Sequence, residues 1–438
     1  MKVVERNIYQ IYPLGAVGAP FENDFKLEHR ILHLISPEWL KHYKKLRVNT
    51  ILLNPVFQST SHGYNTIDFH TVDQRLGTVE DLQLVCQTLH NQDLHVLFDG
   101  VFNHVGRDFS QFQDVLKRRR LSEYKDWFMI DFDGNNSYDD HLRYENWEGH
   151  DELVRLNLKN PKVREFIFDV IDEWIDLYHI DGLRLDVAYC LDQDFLRYLH
   201  HHVKQKKRHF FLLGETLHGD YNQWMNNNML DSVTNYECYK GLHSSFNTRN
   251  FFEIMYSFNR QFGKEPWCLY TGKHPLSFVD NHDVNRIASI LEKKEWLPLI
   301  YAMLYAMPGI PSVYYGSEWG IEGVKNYNDT SLRPYIKKPE WNELCDLISV
   351  LNRMRHLHLE LVYGDYTQIA LSNLYCIFER AYQGKAIWAC FNIKDEPMDI
   401  PVNSTKDGIN LFTDEVEKIP GFVHMEPNSF KFIFFRYF

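Results

Sequence analysis

Short apolar runs alternate with longer amphipathic stretches along most of this 438-residue chain. Ile8 to Tyr12 reads as a strand, and Ser36-Pro37 opens a helix to about Val48, with Ser capping and Pro in the first turn. Thr50 to Val56 is a second apolar run. Thr78 then caps a helix whose Leu82, Val85, Cys86 and Leu89 recur at three- and four-residue spacing. His95 to Val101 is the third run. Residues 105–158 break the rhythm, being polar, charged and without a clean period. Helical order returns at Asn160-Pro161 with one apolar stripe, Val163, Phe166, Ile167, Val170, Ile171, Trp174 and Tyr178. Further strand-like runs are Gly182–Val187, Phe210–Gly214, Ser232–Tyr236, Ser277–Val279 and Pro311–Tyr315, with helical patterns such as Phe251–Phe262 and Trp296–Ala306 between them. From about residue 365 the pattern changes: Leu374–Phe378 and Ala386–Phe391 flank a Gln-Gly turn, and Phe430–Phe438 is a final strand-like run.

Eight strand-then-helix units imply a parallel sheet and suit a (β/α)8 TIM barrel of the α/β class. The expected organisation is a barrel over residues 1–104 and 159–362, a small inserted subdomain over 105–158, and a C-terminal antiparallel β domain over 363–438. A net charge of −12 argues against a nucleic-acid binder, which shows a basic excess or stripe. The basic run Lys117 to Arg120 is short and reads as a solvated helix face or loop. Seven scattered cysteines without a C-x-x-C pair disfavour both a disulfide framework and a zinc site. The N-terminus lacks an apolar signal-peptide core and no stretch approaches a membrane span, so the expectation is a cytoplasmic protein without a membrane partner.

In such barrels the chemistry sits at the C-terminal ends of the strands. The third run ends in Asp99-Gly-Val-Phe-Asn103-His104, the fourth in Gly182-Leu-Arg184-Leu-Asp186, the fifth in Leu213-Gly214-Glu215, and the seventh in Phe278-Val-Asp280-Asn281-His282-Asp283. Carboxylates converging on one mouth suit cleavage of a glycosidic bond. The transition state resembles an oxocarbenium ion, one carboxylate can attack the anomeric carbon, and a second, protonated, can release the leaving oxygen. Neighbouring carboxylates raise each other's pKa, which keeps one protonated near neutral pH. Arg184, two residues before Asp186, shares its face of the strand and is expected to keep Asp186 ionised and oriented.

These four segments, DGVFNH, GLRLDVAYC, LGE and FVDNHD, resemble the conserved segments of the α-amylase family in order and spacing. His62-Gly63-Tyr64-Asn65 with Asp68, and Asp329-Thr-Ser-Leu-Arg333, are similar to further segments of that family. The resemblance implies a retaining enzyme with Asp186 as nucleophile, Glu215 as general acid/base and Asp283 as the third carboxylate. It implies that Arg184, His104 and His282 contact the sugar at the cleavage subsite, that Tyr64 stacks on it, and that Asp329 and Arg333 bind the neighbouring sugar on the non-reducing side. The expected activity is hydrolysis of α-1,4 bonds in maltodextrins or starch-type glucans, by an intracellular enzyme nearest the cyclomaltodextrinase, neopullulanase and maltogenic amylase group. A 4-α-glucanotransferase and an exo-acting α-glucosidase are the alternatives, and the state is monomer or homodimer.

Many family members hold a structural calcium between barrel and insertion. Here Asn103 is the one recognisable ligand, and Leu153-Val-Arg155-Leu-Asn157 carries Arg155 where calcium binders have an aspartate. A guanidinium cannot ligate Ca2+, and its charge can replace the ion, so no cofactor is expected. Asp131-Phe-Asp133-Gly-Asn135 reads as a polar turn. The run His200-His201-His202 reads as an exposed helical face, and Tyr221 and Trp224 are either part of an acceptor subsite or packing residues.

Overall fold

The computed structural model describes residues 2–436. Eight parallel strands form its centre: β1 Ile8–Ile11, β2 Thr50–Leu53, β3 His95–Gly100, β4 Gly182–Leu185, β5 Phe211–Gly214, β6 Ser232–Val233, β7 Leu276–Ser277 and β8 Ile310–Tyr314. Their order is β6-β5-β4-β3-β2-β1-β8-β7. A parallel bridge between Thr234 and Leu276, with the Asn235 amide donating to the Leu276 carbonyl at 2.8 Å, brings β6 to β7 and closes the barrel. Strands β1, β2, β4 and β5 are buried throughout, as a sheet covered on both faces requires. Ile8, Leu52, Leu97, Phe211, Leu213, Leu276, Phe278 and Ile310 fill the barrel interior as their own cluster, and a larger core lies between strands and helices.

The outer helices are α1 Pro37–Leu46, α2 Val79–His90, α3 Pro161–Tyr178, α4 Gln193–Lys206, α5 Tyr236–Asn247, α6 Phe252–Phe262, α7 Leu297–Ala306 and α8 Glu343–Leu357. Helix α2 starts with a full capping box, in which the Asp81 amide donates to Thr78 Oγ1 and the Thr78 amide to Asp81 Oδ2. Ser36 occupies the N-cap of α1 with Pro37 behind it, but its side chain makes no capping bond, contrary to expectation. The fifth unit also departs from the pattern. After β5 only a 3-10 turn, Tyr221–Gln223, stands in for a helix, because the segment to β6 is short and interrupted by Gly219 and Asn226-Asn227-Asn228.

Two excursions from the barrel build the mouth. After β2, strands Phe57–Ser59 and Thr66–Val72 form a hairpin. Gly63 sits at its tip with φ +86°, and a Cβ there would meet Pro55 at 3.0 Å, so glycine is what lets Tyr64 come in over β2. After β3, His104–Gly106 pairs with His150–Arg155, which pairs in turn with Asn146–Trp147. This insertion also holds a helix, Ser110–Arg118, anchored by Phe112 and Val115, in a stretch that showed no clean period. A six-stranded antiparallel sheet follows the barrel, with Tyr375–Tyr382 and Lys385–Asn392 joined through the Gln383-Gly384 turn at positive φ. Its last strand is Ser429–Arg436, and Tyr437 and Phe438 lie outside the described residues. Of the histidine run only His201 is exposed. His200 bonds the Met229 carbonyl and His202 bonds Asp172, because α4 turns those two positions toward its neighbours. Among the described residues no helix is long and apolar enough to cross a membrane.

Candidate active site

Strand β4 sets the geometry. Its side chains alternate, so Arg184 and Asp186 emerge on one face, and parallel pairing puts Arg184 level with Asp99 of β3 and next to Leu213 of β5. The guanidinium is buried at the mouth and touches three carboxylates at once. Its Nη1 lies 2.9 Å from both Asp99 oxygens and 2.8 Å from Asp186 Oδ1, and its Nη2 lies 2.8 Å from Glu215 Oε1. Val187, directly after Asp186, is held at φ 41°, ψ 46°. That is a left-handed conformation costly for a β-branched residue. It aims the Val187 amide at Glu215 Oε2, 3.0 Å away.

Asp186 and Glu215 are each 6% exposed. Burial, then the charges of Glu215 and Asp99, raise the Asp186 carboxyl above its ordinary pKa against the pull of Arg184. The expectation that Arg184 keeps Asp186 ionised is therefore met in direction and outweighed in size, since one guanidinium serves three carboxylates.

The second half of the mouth comes from β7 and β8. Asp283 Oδ2 lies 2.9 Å from His282 Nε2, and Asp283 Oδ1 accepts from Arg333 Nη2 at 3.0 Å. Burial works to raise this carboxyl, but His282, Arg333 and Arg184 overcome it and hold Asp283 well below the usual carboxylate range. Asp329 Oδ2 stands 3.6 Å from the same Arg333 nitrogen, and its Oδ1 is buried without a hydrogen-bond partner. Lys325 Nζ reaches the Asp283 carbonyl at 3.2 Å from the same loop.

Tyr64 joins the halves. Its hydroxyl donates to Asp99 Oδ2 at 3.0 Å and accepts from His282 Nε2 at 2.5 Å, and its ring stacks on His282 at 5.5 Å. The Arg184 guanidinium lies 5.9 Å from the same ring. His104 Nε2 donates to the Tyr64 carbonyl at 3.1 Å, and burial lowers its pKa to about 3, so the ring is a neutral donor. All nine residues singled out from the sequence thus converge on one mouth.

Two further groups at this mouth escaped the sequence reading. Gln10 Nε2 donates to His282 Nδ1 and to Asn54 Oδ1, each at 3.0 Å, and Asn54 Nδ2 donates to Asp99 Oδ2 at 2.9 Å. Both sit at the C-terminal ends of β1 and β2, where the strand-end rule covers them, but a neutral amide carries no carboxylate or imidazole signal. Tyr221 and Trp224 are buried, with Tyr221 stacked 5.1 Å from Tyr270, so they pack rather than line an acceptor subsite.

At the place where the resemblance would put a calcium, the polar groups are already paired with one another. Arg155 Nη1 donates to Glu145 Oε2 at 2.8 Å and Nη2 to the Cys190 carbonyl at 3.4 Å, so a guanidinium already holds those oxygens. The Asn103 amide is turned to His104 Nδ1 at 3.2 Å. Asp131 and Asp133 lie in a turn facing Arg143 and Arg120.

The family profile for the α-amylase catalytic domain matches residues 37–354. A cyclomaltodextrinase of Thermoanaerobacter pseudethanolicus is 29% identical over 410 residues, 89% of this chain and 68% of that protein. An intracellular maltogenic amylase of Bacillus subtilis is 28% identical over 325 residues, 72% of this chain and 53% of that protein. A solved cyclomaltodextrinase superposes with a TM-score of 0.85 at 25% identity, covering 99% of this chain and 78% of that one. The chain spans about half to two thirds of the length of the curated relatives it matches. With this barrel, these strand-end carboxylates and a profile match across most of its length, the chain belongs to the α-amylase family of glycoside hydrolases.

Proposed function

We propose that the chain is a retaining hydrolase of α-1,4-glucosidic bonds in maltodextrins, with Asp186 as nucleophile and Glu215 as acid/base. The observation that carries this reading is the single guanidinium of Arg184 bridging Asp186 and Glu215. It draws two carboxyl groups together, as a retaining pair needs at about 5–5.5 Å. In the first step an Asp186 oxygen bonds the anomeric carbon. The glycosidic C–O bond breaks, and the leaving oxygen takes a proton from Glu215. In the second step Glu215 takes a proton from water, whose oxygen displaces Asp186 and restores the original anomeric configuration.

Asp283 stays ionised, which suits it to accept hydrogen bonds from sugar hydroxyls and to offset oxocarbenium charge. Tyr64 offers a ring to stack on the sugar, and His104, His282 and Arg184 offer donors around it. Asp329 and Arg333 take the next sugar on the non-reducing side, and the unpartnered Asp329 Oδ1 supports that role. No metal is assigned a part, since Arg155 fills the place a calcium would take. A cytoplasmic location is supported by the intracellular relative and by seven free cysteines, five of them buried.

The test is a timed product analysis of maltoheptaose, beside the Asp186→Asn protein. Only shorter sugars, with none from the variant, are expected. Products longer than the substrate would replace the hydrolase reading with transfer to sugar acceptors, and unchanged substrate would remove it.

A further inference from the structure

Helices α3 and α4 each carry an aromatic side chain off the core-facing stripe. On α4 the core stripe is Phe195, Leu196, Leu199 and Val203, and Tyr198 stands outside it, 52% exposed. On α3 the stripe is Val163, Ile167, Val170, Ile171 and Trp174, and Phe168 stands outside it, half-buried. Both face one groove of about 350 Å3, also lined by Arg164, Glu165, Asp169 and His202.

The groove's walls are ordered. His202 stacks on Phe168 at 4.8 Å and 18°, and its Nε2 is tied to Asp172 at 2.9 Å, which fixes the ring in the groove's wall. The Arg164 guanidinium lies 4.7 Å over the Tyr198 ring. The Glu165 and Asp169 carboxylates and the Tyr198 hydroxyl have no hydrogen-bond partner among the described residues. The groove therefore combines aromatic walls, free acceptors and one cation. Two carboxylates repel a polyanion, and a purely apolar ligand leaves them unused. A neutral polyhydroxylated ring satisfies every element, with its C–H faces on the aromatics and its hydroxyls on Glu165, Asp169 and Arg164.

The groove lies along the N-terminal half of α3 and the middle of α4. Each helix follows a strand whose C-terminus opens at the mouth, so the groove runs along the barrel's outer wall, starting from the mouth's end of α3. We propose that it is a second α-glucan site, which holds a non-reacting stretch of a long substrate. This rests on the α-glucan reading above.

The experiment is electrophoresis of the full chain through gels containing soluble starch, beside kcat/KM on maltotriose, for wild type, Tyr198→Ala, Tyr198→Trp and Glu165→Gln. Tyr198→Ala is expected to bind starch about tenfold more weakly, a loss of about 1.4 kcal/mol. Tyr198→Trp is expected to keep retention, Glu165→Gln to lose part of it, and maltotriose turnover to stay at the wild-type value in all three. Equal retention by Tyr198→Ala, or a wild type that cleaves maltotriose without being retarded, overturns the groove site. A parallel fall in maltotriose turnover places the effect at the mouth and also overturns it. A wild type that cleaves no α-glucan overturns the functional reading instead, and the groove proposal falls with it.

Discussion

Strand β4 carries a buried ion cluster at each end, and the two are built to opposite charge ratios. At its N-terminal end one carboxylate, Asp181, is surrounded by donors: Lys207 Nζ at 2.8 Å, the Val96 amide at 2.9 Å, His90 Nε2 at 3.0 Å and His95 Nδ1 at 3.2 Å. At its C-terminal end three carboxylates share the single guanidinium of Arg184. Burial pushes both aspartates upward. The donors win at Asp181, which is held well below the usual range, and burial wins at Asp186, which is raised. An excess of donors makes a carboxylate inert and structural. A deficit leaves Asp186 with a raised pKa, the kind of perturbation that marks a reactive site.

The largest effect should come from the donor-poor end. Glu215→Gln is expected to lower kcat/KM on maltotriose by about 10²–10⁴-fold, the usual range for a general acid. Asp186→Asn should cost at least as much. Neither change should lower the melting temperature, because each relieves repulsion among crowded carboxylates. Near-normal turnover in either variant would sink the assignment. Asp181→Asn is the mirror experiment. It should lower stability by about 1–3 kcal/mol, a figure reduced from the fully buried case because His90, His95 and Lys207 are partly solvated. Its kcat/KM should not change. A variant that loses activity at full stability would mean that the two ends are coupled through the strand.

Much of the donor-poor end was legible in the sequence, because strand ends concentrate chemistry and an Arg-x-Asp spacing puts both side chains on one face. The donor-rich end was not. Asp181 belongs to no motif, and its partners His90, His95 and Lys207 come from α2, β3 and the end of α4, so only the closed barrel brings them together. Gln10 and Asn54 were missed for a related reason: a neutral amide at a strand end looks like a turn residue until its partner is known. The helix Ser110–Arg118 was hidden because it buries only Phe112 and Val115, too few to mark a period. The raised pKa of Asp186 depends on how many carboxylates one cation serves, a ratio that exists only after folding.

Histidines supply a smaller test, since one is held neutral near each end of the barrel. Burial lowers His104 at the mouth to about 3, and burial with Arg355 and Arg380 lowers His274, just before β7, to about 3. Both values lie below the unfolded value of about 6.5, so the native chain binds fewer protons than the unfolded one in that window. Their stability contribution is complete above about pH 6.5 and is lost as pH falls toward 3, whereas that of Asp181 is lost only below about pH 4. Replacing His274 with Gln should remove up to about 1.4 kcal/mol per pH unit from the slope of stability between pH 6 and pH 5. Activity should be unchanged, because His274 lies away from the mouth. An unaltered slope would mean that His274 is protonated in the native state.

The smallest effect belongs to a cluster with a balanced ratio. Arg155 and Glu145 form a one-to-one pair within the insertion, with side chains 39% and 54% exposed, and the same guanidinium reaches out to the Cys190 carbonyl in the loop after β4. Such a pair is worth about 0.2–1 kcal/mol, so Arg155→Ala should barely move the melting temperature. Because the guanidinium holds the Glu145 carboxylate and the Cys190 carbonyl, a chelator should change neither stability nor activity of the wild-type protein. A melting temperature that falls by several degrees in chelator and recovers with Ca2+ would show a cation site and overturn the reading that Arg155 takes its place. Arg155→Asp makes the contrast sharper. It places a carboxylate beside Glu145 and the Cys190 carbonyl, turning a balanced pair into a donor-poor cluster of hard oxygens. That variant should be less stable than wild type in chelator and should regain stability with millimolar Ca2+, measured by thermal melts at the two conditions. If added Ca2+ restores nothing, the ratio of carboxylates to cations is not enough by itself to set the character of a cluster, and its depth of burial must be part of the rule.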